Sequence, residues 1–285
     1  MTTTSLIAGG TSGVGLSIGR ALVRSADNEV LLIGSNPEKG RRVEAELRAS
    51  GPGKVAFVHL DLTDLAAVRR FTETFSATHE SLDLLVHVAG VMEPTRRLTE
   101  DGFERTFAVG YLSAVVLATR LAPLLEKSGR GRIAHVGGVA RFILNARLDF
   151  DDLSASRKYT SFRRAIDTVH AKTVLTQLLA RRFASRGIDV NSFHPGAVRS
   201  DLMGSMPWWI RTLYAGASLV MTKDSQTGIR VCTAPELRGT SGKYFDGAKV
   251  TDVAFDEAYA EQLWNETQRM LAPLEGRAAA TAPVH

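Results

Sequence analysis

The 285 residues are 44% hydrophobic and 23% charged, with 25 glycines and 9 prolines, a composition that excludes a disordered or fibrous chain. A chain this long buries about three quarters of its unfolded surface without staples, and the single cysteine, Cys232, excludes an internal disulfide and fits a reducing compartment. The net charge of +5 comes from scattered residues. Arg163-Arg164 and Arg181-Arg182 read as solvated helix faces, so no nucleic-acid partner is expected.

The chain opens on a strand with no basic n-region or cleavage pattern, so a cytoplasmic location is expected. No apolar run is read as reaching the ~20 residues of a spanning helix; the longest, Trp208 to Met221, is broken by Arg211, Gly216 and Ser218. In chain order, the pattern predicts a buried strand at Leu6 to Ala8 and a helix from Gly13 to Ser25 with Val14, Ile18, Ala21 and Leu22 at helical spacing. Val30 to Ile33 is the next strand, and Pro37 opens a charged helix to Arg48. Val55 to Leu60 is a strand, and Thr63 or Asp64 caps a helix to about Thr78. A strand is predicted at Leu82 to Val88, a long helix at Glu100 to Glu126 and a strand at Ile133 to Val136. A helix ending near Arg186 follows an irregular stretch, then a strand at Ile188 to Phe193. A loop-rich aromatic segment, a helix, a strand near Tyr244-Phe245 and a C-terminal helix complete the order.

Regular alternation of strand and helix implies right-handed crossovers. The expected fold class is α/β, a single Rossmann-type doubly wound parallel sheet of about seven strands with helices on both faces. One domain is expected over residues 1–277, with a lid at about 200–223 and a flexible tail at 278–285.

After the first strand comes Gly9-Gly10-Thr11-Ser12-Gly13-Val14-Gly15, opening directly into a helix. Glycines belong where the backbone turns sharply and where main-chain N–H groups must meet a pyrophosphate, and the helix N-terminus adds partial positive charge. With this Gly-x-x-x-Gly-x-Gly spacing the chain resembles the short-chain dehydrogenase/reductase family. The resemblance runs on through Asp61-Leu62, Ala89-Gly90 and His194-Pro195-Gly196. Asp151-Asp152-Leu153 and Ser241 to Asp246 resemble its retinol-dehydrogenase-like branch. It implies a cofactor-binding set of Gly9, Thr11, Ser12, Gly13, Val14, Gly15, Ser35, Asn36, Asp61, Leu62, Ala89, Gly90, Pro195, Gly196 and Val198. The second strand ends Ile33-Gly34-Ser35-Asn36 without the carboxylate that would grip the ribose of NAD, and Arg41 and Arg42 follow, so NADP(H) is the expected cofactor.

The family's chemistry uses a tyrosine, a lysine four residues later, a serine and an asparagine. Carried over by register, these positions are Ala165, Val169, Gly138 and Gly110, so all four groups are replaced. Tyr159 and Arg163 repeat the tyrosine–cation spacing, but using them demands a six-residue insertion before the sixth strand, and Tyr159 already matches a non-catalytic tyrosine of the branch. The candidate substitutes are Lys172, about one turn beyond Val169 on the same face, and Asp167, the carboxylate of this stretch. Asp167 is rotated about 200° from Ala165, and either side chain also reads as solvated or structural. His87 reads as a sheet-end histidine and Arg141 as a cleft-mouth residue.

Trp208, Trp209 and Tyr214 suggest an aromatic lid over a cleft enlarged by the missing side chains, suited to a bulky apolar substrate. The expected function is an atypical NADP(H)-dependent oxidoreductase of a specialised pathway. It would pass hydride to an imine, iminium or activated double bond, acceptors that need little acid. A non-redox isomerase or cyclase, and a nucleotide-binding regulatory subunit, are the alternatives. The resemblance implies a homodimer or homotetramer, and no metal is expected.

Overall fold

The computed structural model describes residues 2–199, 202, 204–208, 212, 221–252 and 254–274. Eight strands form one sheet in the order β3-β2-β1-β4-β5-β6-β7-β8. They are β1 (Thr3–Ala8), β2 (Asn28–Gly34), β3 (Lys54–His59), β4 (Leu84–His87), β5 (Arg132–Val136), β6 (Asp189–His194), β7 (Lys243–Asp246) and β8 (Lys249–Asp252). All neighbours are parallel except β7 and β8, which are antiparallel. This eighth strand exceeds the seven expected; Asp246 and Lys249 pair across a two-residue turn with Gly247 at φ +59°.

Strand side chains alternate between two apolar layers. Leu6, Ala8 and Ile133 join one core with Tyr111, Leu117 and Leu175. Ile7, Val30 and Phe193 join the other with Ile18, Val43 and Val231. The helices over the first are α3 (Leu65–Thr78), α5 (Ser113–Lys127) and α7 (Ser161–Arg182), the last preceded by the short α6 (Ala140–Ile143), with the C-terminal α9 (Glu257–Leu271) packed on α7. Those over the second are α1 (Gly13–Leu22), α2 (Pro37–Ser50) and α8 (Gln226–Thr233).

The long helix departs most from expectation. It starts at Arg105 rather than Glu100, because Gly102 turns at φ +84° and the Glu104 carboxylate caps the N–H groups of Thr106 and Phe107. A short α4 (Arg105–Phe107) passes into a π turn (Ala108–Leu112) before α5. Over Arg105–Lys127 this helix is long and apolar enough to cross a membrane, which corrects the choice of Trp208 to Met221 as the longest apolar run. Its apolar surface lies inside the fold against the sheet, as expected of the core helix of a globular domain. The π turn and the start of α7 sit beside the C-terminal ends of β4 and β5, where a doubly wound sheet opens its crevice.

Candidate active site

A cavity of about 570 Å³ runs along the C-terminal edge of the sheet from β3 to β6. At one end it meets the glycine loop. A Cβ on Gly15 would stand 2.3 Å from the Gly9 carbonyl oxygen, and one on Gly9, at φ +89°, would stand 2.7 Å from the Ala89 nitrogen. Bare backbone is therefore enforced at both positions, and the loop stays close against the first turn of α1. That turn has no side-chain cap on Ser12, whereas Asn36 caps α2 and Asp64 caps α3. Uncapped N–H groups, a helix dipole and side-chain-free loop backbone suit the pyrophosphate of a nicotinamide dinucleotide. The residues present fit that group.

Of the cofactor residues expected from sequence, all line this cavity except Gly13. Gly13 has φ +47° and begins α1, so it shapes the turn rather than the wall. Arg41 and Arg42 are exposed and do not line the cavity. The cation found there is Lys39, whose N–H bonds the Asn36 cap at 2.9 Å. The signal for it was present: three residues after an N-cap lies in the first helical turn, and that turn faces the crevice.

At the opposite end the wall is α7. Ala165, Thr168, Val169 and Lys172 line the cavity, a spacing that puts them on one helix face. Gly110 lies within the π turn, and Gly137, which follows β5, lines the cavity with it. A Cβ on Gly110 would stand 2.4 Å from the Thr168 methyl, so Thr168 occupies the room a side chain there would need. Gly138 faces Val169 and Ile143, and its carbonyl accepts a bond from the Tyr244 hydroxyl. Val109, Met92, Leu202 and Met221 complete an apolar rim.

Asp167 does not reach this wall. Its carboxylate bonds Arg163 Nε at 2.8 Å, and burial raises its pKa. The correction follows from helix geometry, since two residues past Ala165 is the opposite side. Tyr159 is absent from the wall as well: it precedes α7, and its hydroxyl donates to the Glu93 carbonyl at 2.9 Å. Arg141 is exposed and stacks on Phe142. Trp208 is 77% exposed, and Trp209 and Tyr214 lie outside the described residues. His194 ties the end of β6 to Asp246 at 3.2 Å.

Sequence reasoning missed two features at the rim. Arg105 lines the cavity and pairs with the buried Glu93 at 3.3 Å. Nearby, the buried carboxylate of Glu104 holds Arg164 at 2.6 Å, joining the start of α4 to the first turn of α7. Both depend on contacts between segments far apart in the chain, which no local pattern encodes.

Lys172 is the ionisable side chain of the α7 wall. It is 2% exposed, and burial lowers its pKa to about 7. Below it lie His87 and His135, cross-strand neighbours on β4 and β5, both fully buried. Burial, then the nearby Lys172 charge, keeps both rings neutral, His135 with a pKa of about 3 and His87 well below the usual range.

The family profile described as short chain dehydrogenase matches residues 3–148. Polyprenol dehydrogenase of Mus musculus is 32% identical, covering 93% of this chain and 83% of its own. Retinol dehydrogenase 14 of Homo sapiens is 30% identical, covering 95% and 87%. A short-chain type dehydrogenase/reductase from Mycobacterium ulcerans superposes with a TM-score of 0.64 at 22% identity, over 99% of this chain and 98% of that one. The RhlG/NADP active-site complex of Pseudomonas aeruginosa gives 0.62 at 19%, over 86% and 94%. With its doubly wound sheet, its glycine loop and this span of similarity, the chain belongs to the short-chain dehydrogenase/reductase family of oxidoreductases, in the retinol-dehydrogenase-like branch.

Proposed function

We propose that this oxidoreductase uses NADP(H) and acts on a bulky apolar acceptor without the tyrosine its family relies on. The observation that carries the reading is one cavity with two unlike ends. At the first, the glycine loop and the uncapped start of α1 suit the dinucleotide phosphates; at the second, Ala165, Thr168 and Val169 form a wall without a phenol, facing Val109, Met92 and Leu202. When bound, the dinucleotide supplies or takes the hydride. The chain's residues bind and orient it through the loop backbone, and the apolar rim excludes water.

Lys39, which lines the cavity beside Ser35 and Asn36, favours the 2′-phosphate. The names of the polyprenol and retinol dehydrogenases support an isoprenoid-like body for the substrate. An imine or activated double bond, as part of a specialised pathway, suits a wall without a phenol. The family's habit of pairing through long helices supports a homodimer or homotetramer.

Titration of the protein with NADPH and NADH tests the cofactor. NADPH is expected to bind at least tenfold more tightly, and Lys39→Glu to erase that preference while leaving NADH within about threefold. Incubation with NADPH deuterated at C4 and candidate imines or enones tests the reaction, with deuterium expected in the product. Failure of either dinucleotide to bind at millimolar concentration overturns the reading, and so does conversion without label.

A further inference from the structure

We propose that Lys172, on the helix packed over the paired His87 and His135, is the acid–base group of this cavity, in the role the family gives to a tyrosine. The inference rests on the reading of the chain as a hydride-transferring enzyme and names the residue that handles the proton.

Each ring has one nitrogen engaged by a hydroxyl of the helix above it. His87 Nε2 lies 2.8 Å from the Ser113 hydroxyl, which also reaches the Val109 carbonyl at 2.7 Å. His135 Nδ1 lies 2.9 Å from the Thr176 hydroxyl, which also reaches the Lys172 carbonyl at 3.0 Å. Where the hydroxyls donate to the carbonyls, the rings donate to the hydroxyls, and the other nitrogens, His87 Nδ1 and His135 Nε2, carry the lone pairs.

Both bare nitrogens are fully buried and have no hydrogen-bond partner among the described residues. Two buried lone pairs without donors cost free energy, on the order of 1–3 kcal/mol each. His87 and His135 are paired residues of adjacent strands, so both rings project from the same face of the sheet. The cation whose charge acts on both is Lys172. Its ammonium has three hydrogens and makes no ion pair or hydrogen bond with any described residue. It also lines the cavity wall on the same helix face as Ala165, the position that carries the tyrosine in the family, about two turns further along. A donor with spare hydrogens thus lines the chamber from the helix that covers the two rings.

The groups facing it are neutral imidazoles from β4 and β5. On neighbouring elements, Glu104 is paired with Arg164 and Glu93 with Arg105. With no carboxylate among the described residues paired to the ammonium, burial sets its ionisation near neutrality, where a proton donor and its conjugate base are both available.

The step balances. As the acceptor's carbon gains the hydride from the reduced dinucleotide, which is oxidised by two electrons, a Lys172 Nζ–H bond breaks and an N–H or O–H bond forms on the acceptor. The amine left behind regains its proton from water at the cavity mouth.

Competitive acetylation of the native protein with acetic anhydride between pH 5 and 11, read by peptide mass spectrometry, tests the assignment without requiring turnover. Lys172 is expected to titrate near 7 and, at pH 7.5, to react at least tenfold faster than the typical lysine of the chain. His135→Phe, which removes one facing lone pair, is expected to move that midpoint down, a change a merely structural histidine would not cause. In parallel, Lys172→Met is expected to lower the rate of NADPH oxidation with 2-methyl-1-pyrroline, or another acceptor that passes the deuterium test, at least 100-fold, with NADPH affinity within threefold. Lys172 that stays unreactive, or titrates with the surface lysines near 10.5, overturns the proposal even where wild type turns over. Normal Lys172 titration in a protein that binds no dinucleotide overturns the parent reading instead.

Discussion

Lys172 is costly to the fold, and the cost has a readable pH signature. Its pKa in the folded chain is about 7, whereas an unfolded lysine titrates near 10.4. Between those values the unfolded state binds more protons, so stability rises with pH across this window. Below pH 7 the penalty is fully present; above about 10.4 it is gone. Lys172→Met keeps the length of the side chain and removes the charge. It is expected to stabilise the protein by about 2–4 kcal/mol at pH 6. The gain should shrink steadily from pH 7 to 10, as followed by urea unfolding. The two histidines act in the same direction at lower pH. Both are held neutral in the fold, so their contribution is lost as pH drops below about 6.5, where the unfolded rings take up protons. A Lys172→Met variant with unchanged stability at pH 6 would mean that water reaches the ammonium freely.

The contact between the π turn and α7 records how the site was altered. Gly110 lies in the π turn without a left-handed φ, so a side chain there would by itself favour helical backbone by up to about 1 kcal/mol. Opposing that, its Cβ would stand 2.4 Å from the methyl of Thr168, whose hydroxyl is tied to the Arg164 carbonyl at 2.8 Å. A β-branched side chain pinned in this way cannot swing aside. Overpacking should win: Gly110→Asn is expected to destabilise the protein by about 1–3 kcal/mol. Adding Thr168→Ser, which removes the methyl and keeps the hydroxyl, should recover most of the loss. Independent, additive effects in this double-mutant cycle would contradict the contact.

The same contact shows what a sequence can and cannot display. Gly110 and Ala165 were visible as departures from a pattern because each position is fixed by local spacing. The π turn was not visible, since apolar residues from Phe107 to Leu125 keep a helical rhythm that hides one extra residue per turn. The helix start at Arg105 depended on Glu104 as a cap, which the apolar pattern alone extended past. Lys172 was legible as a cavity residue from its face of the helix, but the imidazoles beneath it come from two other strands. Their partnership exists only once the sheet is assembled.

At the scale of the molecule, the cavity spans the seam where strand order reverses, between β1 and β4. The loop after β1 contacts the loop after β4, with Gly9 pressed against Ala89. A ligand here touches residues following β1, β2 and β3 on one side of the seam and β4, β5 and β6 on the other. The sheet runs through that seam without a break: β1 bonds β2 and β4 over adjoining registers, and both apolar layers draw on strands from each side. Two halves sharing a sheet and both cores have no low-cost way to separate, so thermal unfolding is expected as one transition with equal calorimetric and van't Hoff enthalpies. NADPH binding the folded state alone, at about 100 times its Kd, adds about 2.7 kcal/mol. Because the ligand bridges the seam, that increment belongs to the whole fold and should move the entire transition upward by several degrees. Scanning calorimetry with and without NADPH reads both points. Two transitions, only one of which follows the ligand, would mean that the β1–β4 junction yields before the rest and that the cavity's two ends are held by separately folding units.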